Sequence, residues 1–239
     1  MHAMVMSRPQ SLWSLSLAGV RSGYAALAVA ACMTLGIQEA VAQHPSNNRI
    51  DMSLDALVTL PAYCADAQSG SNGGRYDPAN YTPAQQRWVA LMGGGFHHIH
   101  HYCWALDMAK KARDPMTSQQ QRRSFYSGAI KDCTYVLNQA PRDFVLLPEI
   151  YLRMGQFALG RDDIVGALEY FENSYRAKPD YWPPYVEIAK TNLSIGRRQE
   201  AEAALKAGLA VSPDEPNLKQ ALAQLKATPP ARAKKPPSK

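Results

Sequence analysis

Apolar residues between positions 82 and 227 recur at three- and four-residue spacings, so the chain predicts helices separated by short breaks. Thr82-Pro83-Ala84-Gln85 reads as a helix start, with Thr82 as cap, Pro83 in the first turn and Gln85 completing a capping box. The Gly93-Gly94-Gly95 run breaks or kinks that helix. A helix over about 94–112 follows, with Phe96, Ile99, Cys103 and Leu106 on one apolar stripe. A loop with Asp114-Pro115 leads into a helix over about 119–139, whose inner face carries Ala129, Cys133 and Val136 and which Pro141 ends. Glu215 to Ala227 is a more polar amphipathic helix, suited to cap an array. Outside this region the pattern fails. Residues 43–81 read as irregular, with a flexible loop over 66–80 carrying Gly70, Gly73, Gly74 and Pro78. Residues 228–239 are rich in Pro, Ala and Lys and read as a disordered tail.

Within the helical region the chain repeats. Tyr151 and Tyr185, Ala167 and Ala201, Phe171 and Leu205, and Pro179 and Pro213 each stand 34 residues apart. The run Tyr151, Met154, Gly155, Ala167, Phe171, Pro179 resembles the tetratricopeptide repeat in order and spacing. The run Tyr185, Ile188, Ala189, Ala201, Leu205, Pro213 resembles it too, with Ala189 in place of glycine. The spacing has a physical cause: small residues such as Gly155 and Ala167 let two antiparallel helices approach, and Tyr151 and Phe171 fill the space around them. The resemblance implies an all-α fold of antiparallel helix pairs stacked as a short superhelix. It has two clear repeats over 148–213, a divergent one before them and a capping helix after. The predicted organisation is thus a leader over 1–42, an irregular segment over 43–81, a helical domain over 82–227 and a tail. The phrases His98-Ile99-His100-His101-Tyr102-Cys103-Trp104 and Leu146-Leu147-Pro148-Glu149-Ile150-Tyr151-Leu152 also resemble a group of small exported proteobacterial tetratricopeptide proteins without an assigned activity. That resemblance extends back to Leu60-Pro61-Ala62-Tyr63-Cys64 and implies no reaction.

Residues 1–42 read as an export signal, with Arg8 and Arg21, a small apolar run from Gly23 to Gly36, and Ala40-Val41-Ala42 as the cleavage site before Gln43. Val29-Ala30-Ala31-Cys32 is a competing, lipobox-like cut that would lipidate Cys32, and an uncleaved anchor is a third option. All three place the body outside the cytoplasm, the first in soluble periplasmic form. In such an oxidising compartment Cys64 and Cys103 are the candidate disulfide, and Cys133 reads as a small buried hydrophobe.

The net charge of +6 suggests nucleic acid at first sight. It comes almost wholly from the ends: Arg8, Arg21, Arg232, Lys234, Lys235 and Lys239 lie in the leader and tail, which hold a single acidic residue, Glu39. The body is nearly neutral and carries no nucleic-acid-reading motif, so no nucleic-acid partner is expected. The basic tail could make weak contact with the cell envelope, although solubility explains it as well.

Four of the six histidines fall in Phe96-His97-His98-Ile99-His100-His101. His97 and His101 stand one helical turn apart, a spacing at which two imidazoles can share zinc or copper. A third ligand would have to come from His100, Asp107, His44 or Cys64. The competing reading sets these imidazoles in a polar, aromatic seam between helices, hydrogen-bonded to carbonyls or carboxylates.

In tetratricopeptide folds the first helix of each pair lines the groove. By this resemblance Glu149, Leu152, Gln156, Leu159, Val186, Lys190 and Leu193 are the candidate partner-binding residues. Leu152, Gln156 and Val186 stand where the family's carboxylate clamp needs polar donors, and only Lys190 remains of it. The surface suits an extended peptide or a helix docking through apolar anchors. No GxSxG elbow, phosphate-cradling glycine loop or paired acids appear, so no catalysis and no cofactor are expected. The expected function is a periplasmic adaptor or scaffold that binds a protein or peptide, with a metal-binding or metal-sensing module as the alternative.

Overall fold

Helices meet in successive antiparallel pairs, each turning back on itself through a tight loop. The computed structural model describes residues 52–69 and 78–227, all within one compact unit in Pro45–Lys239. The expected export signal, with its cuts at Ala42 and Cys32, and the expected basic tail lie outside the described residues. Among the described residues the regular structure is helical: α1 (Leu54–Leu57), α2 (Tyr63–Ser69), α3 (Pro83–Met92), α4 (Ile99–Arg113), α5 (Gln119–Gln139), α6 (Leu147–Gly160), α7 (Ile164–Ala177), α8 (Pro183–Ser194), α9 (Arg198–Val211) and α10 (Pro216–Ala227).

Local chemistry sets the boundaries. The Thr82–Gln85 capping box is formed in both directions, and Ser118 and Gln121 form a second one at α5. The Gly93-Gly94-Gly95 run opens a tighter 3-10 stretch, Gly93–His98, so α4 starts at Ile99, later than the expected 94. Asp162, at φ 70°, and Gly196, at φ 79°, hold the same left-handed position 34 residues apart, in the α6–α7 and α8–α9 turns. Asp163 then caps α7 by accepting from the Gly166 amide.

Pairs α4/α5, α6/α7 and α8/α9 stack in order, with α10 on α9. In the middle pair a Cβ on Gly155 would overlap the Phe171 ring, so only glycine allows this approach. Phe171 and Ala167 are fully buried beside it. Ala201, Leu205 and Ala189 repeat the arrangement in the next pair. Small residues also close the first pair, where Ala105, Ala109, Ala112, Ala129 and Cys133 are all buried. The core falls into two clusters: one runs from Tyr63 to Phe171, and a smaller one joins Tyr185, Ala189, Ala201, Leu205, Leu218 and Leu225. Helix α8 bridges them, with Ile188 packed on the first and Tyr185 and Ala189 in the second.

The segment expected to be irregular is more ordered than its composition suggested. Residues 54–57 and 63–69 are helical, and Pro78–Asn80 is a 3-10 turn. Tertiary contacts supply what local propensity lacks. Cys64 and Cys103 are disulfide-bonded with their Cα atoms 5.6 Å apart, while Cys133 is a buried free thiol. Around the bond, Trp88 Nε1 donates to Asp66 Oδ2 at 2.7 Å, Gln85 Nε2 to the Asp66 carbonyl at 3.0 Å, and Trp104 Nε1 to Gln68 Oε1 at 3.0 Å. These bonds fasten α2 to α3 and α4.

Candidate functional site

Helices α8 and α10, from Trp182 to Leu193 and from Asn217 to Leu225, line a cleft of about 470 Å³ together with Arg198 and Leu205 of α9. Trp182, Val186 and Leu193 form its apolar α8 wall, with Leu205, Ala221 and Leu225 opposite. Lys190, Arg198, Asn217, Gln220 and Gln224 supply the polar part of its lining. The sequence builds this cleft in a simple way. Pro183 and Pro184 start α8 directly after Trp182, and Leu218 and Leu225, seven residues apart, seat α10 on the smaller core cluster. Arg198 donates to the Leu225 carbonyl and secures the end of α10. Lys190 pairs with Glu187 at 2.9 Å, and Leu193 is 39% exposed. A mostly apolar hollow with polar groups around it is the form that accepts one or two side chains of a docking segment.

The expected groove residues divide. Val186, Lys190 and Leu193 do line this cleft. Leu152 does not reach a groove: it is 6% exposed and belongs to the main core cluster, because α6 has packed neighbours on both sides. Leu159 is half-buried against that cluster, and Gln156 accepts a hydrogen bond from Arg153 at 3.2 Å. Glu149 lines a second cleft, of about 350 Å³, where Thr59, Leu60 and Pro61 pass over α4 and α6. There it accepts from the Tyr102 hydroxyl at 2.9 Å and stands 3.8 Å from Arg153 Nε. Burial, with Glu149 beside it, pushes the Tyr102 phenol well up, which keeps it a proton donor. The sequence reading missed Trp182, Arg198 and the α10 wall. The Leu218, Leu222, Leu225 spacing in the last helix was the available signal.

The histidines form an aromatic seam. His101 Nδ1 donates to Asp132 Oδ1 at 2.9 Å, and its ring lies 3.9 Å from that of Tyr135 and 4.6 Å from that of Trp104. His100 is 8% exposed and lies 5.0 Å from the Trp104 ring. His97 Nδ1 is hydrogen-bonded by the Tyr81 hydroxyl. Of the further ligands considered, Asp107 is buried in an ion pair with Lys111 at 2.7 Å, Cys64 is in the disulfide, and His44 lies outside the described residues. Among the described residues no group of three or more His, Cys, Asp or Glu side chains comes together to hold an ion.

Burial, then the neighbouring His101 and His98, pushes His100 down to about 3 from its ordinary 6.5, against a smaller opposing backbone hydrogen bond at His97. Burial lowers His97 and His98 as well. Between pH 6.5 and about 3 the unfolded chain therefore binds more protons at His100 than the folded one. This contribution is whole above 6.5 and declines as the pH falls below it. Going from pH 7 to pH 5 is expected to cost about 2 kcal/mol, measured as unfolding free energy in urea at each pH. The His100→Gln variant should show a flatter pH dependence. If its slope matched the wild type, the acid sensitivity would belong to other groups.

Residues 158–225 match a family model described as tetratricopeptide repeat, spanning the last three residues of α6, all of α7 to α9 and nearly all of α10. No curated protein matches the chain. Among solved structures, the chain is similar to the first TPR of Spaghetti (RPAP3) bound to HSP90 peptide SRMEEVD, at 14% identity and a TM-score of 0.37, over 52% of this chain and 93% of that one. Residues 158–225 thus resemble tetratricopeptide repeats, and they fall in helix pairs that recur every 34 residues.

Proposed function

We propose that this protein is an exported interaction adaptor that binds an extended peptide or a helix of a protein partner in the cleft between α8 and α10. The cleft carries the reading: about 470 Å³, walled by Trp182, Val186, Leu193, Ala221 and Leu225, among the last described helices of the array. Helical repeats of this family are interaction modules. Here the surface they leave open takes apolar side chains, while Lys190 and Arg198 favour a neutral or acidic neighbour on the partner. The Cys64–Cys103 bond supports the exported part of the reading, since such bonds persist in oxidising compartments.

The test is a peptide library displayed against the wild-type chain, followed by affinity measurements on Val186→Arg and Leu193→Asp variants. Leu193 is exposed enough that aspartate leaves the fold intact. Selected peptides are expected to bind each variant at least about tenfold more weakly, the loss of one anchored apolar side chain. Equal binding to all three proteins would place the ligand elsewhere.

A further inference from the structure

We propose that the furrow between α4 and α6 is a second peptide-binding surface, and that residues 52–61 of the same chain are its resident occupant. This surface is separate from the α8–α10 cleft, and the inference does not depend on that reading. Residues 52–61 form a strap. Met52, Leu57 and Leu60 rest partly buried on the main core cluster, while Val58 is 81% exposed. Lys110 of α4 donates to Thr59 Oγ1 at 3.0 Å and to the Asp55 carbonyl at 3.4 Å. A groove holds a bound peptide in this way, with apolar side chains inward and a long side chain on the backbone.

Two features set the strap apart from the repeat core. The helix pairs close on glycine and alanine, whereas Thr59, Leu60 and Pro61 share with α4 and α6 the lining of a surface cleft of about 350 Å³. The strap also has its own anchor. Helix α2 begins two residues after Pro61, with Tyr63 and Cys64 buried and the disulfide to Cys103 fully enclosed. The strap can therefore leave and return with the disulfide intact, and its tether keeps it at a high effective concentration. The strap and its seat define the partner that would displace it. The furrow is lined by Lys110, Arg113 and Arg153 against the single acid Glu149, and the only charge on the strap is Asp55. A short apolar segment with leucines, a following proline and an acidic residue fits this surface.

The test uses the full chain with its disulfide intact and a labelled peptide of residues 52–61 added in trans. In wild type the tethered strap should outcompete the peptide. The Leu57→Asp/Leu60→Asp variant, whose strap is weakened, should bind it saturably and at least about tenfold more tightly. Leu60→Ala, a milder change, should show the same shift to a smaller degree and serves if the double aspartate loses its helical circular dichroism. Adding Val186→Arg should leave this binding unchanged, which separates it from the α8–α10 cleft. Equal binding to wild type and variants, or no binding to folded variants, would overturn the proposal. So would loss of the helical fold in Leu60→Ala, because the strap would then be part of the core.

Discussion

Replacing Phe171 by alanine is expected to lower the unfolding free energy by about 4 kcal/mol. The ring is fully buried and lies against Gly155, at a place where even one added methyl group would overlap it. Removing it takes away the apolar surface that joins α6 to α7 and opens a cavity. Phe157 and Met154, buried close by, cannot fill it without moving the backbone of α6. Leu205, the equivalent residue one repeat later, belongs to a smaller cluster with fewer large side chains. Leu205→Ala is expected to cost less, about 2–3 kcal/mol. Urea unfolding monitored by circular dichroism measures both. A Phe171→Ala midpoint close to that of wild type would mean that the Gly155–Phe171 contact does not hold the central pair together.

The Cys64→Ala/Cys103→Ala double variant is expected to lose about 4 kcal/mol, because the bond closes a loop with a sequence separation of 39 and so restricts the unfolded chain. The folded state should respond locally. Helices α4 to α10 hold each other through their own faces, whereas α2 is seven residues long and depends on its ties to Gln85, Trp88 and Trp104. Amide exchange should therefore quicken first in α2 and α3, with α6 and α7 still protected. If the urea midpoint stayed where it was, the hydrogen bonds around Asp66 and Gln68 alone would suffice to fix the segment.

Much of the fold was legible because helices are local. Thr82-Pro83-Ala84-Gln85 announced its own cap, Gln119–Gln139 was marked by its apolar spacing, and four residue pairs 34 apart located the repeats. The turn signal was harder to see, since Asp162 and Gly196 share a backbone conformation but not a residue type. The groove was only half legible. Helix period and repeat register place Val186, Lys190 and Leu193 on a common face, but they do not say whether a neighbour covers it. Leu152 has the same register in α6 and is buried, because α6 lies inside the array and α8 lies near its end.

The sequence by itself determined the helices from Pro83 onward, their pairing and the 34-residue period, since caps, turns and side-chain spacing act within a few residues of one another. Only the tertiary structure decided what depends on distant parts of the chain meeting. It set His101 against Asp132 across 31 residues, Cys64 against Cys103 in preference to Cys133, and a strap from the segment read as irregular over the furrow of α4 and α6. Such contacts form only where the packed helices bring the groups into reach, and no local pattern carries that information.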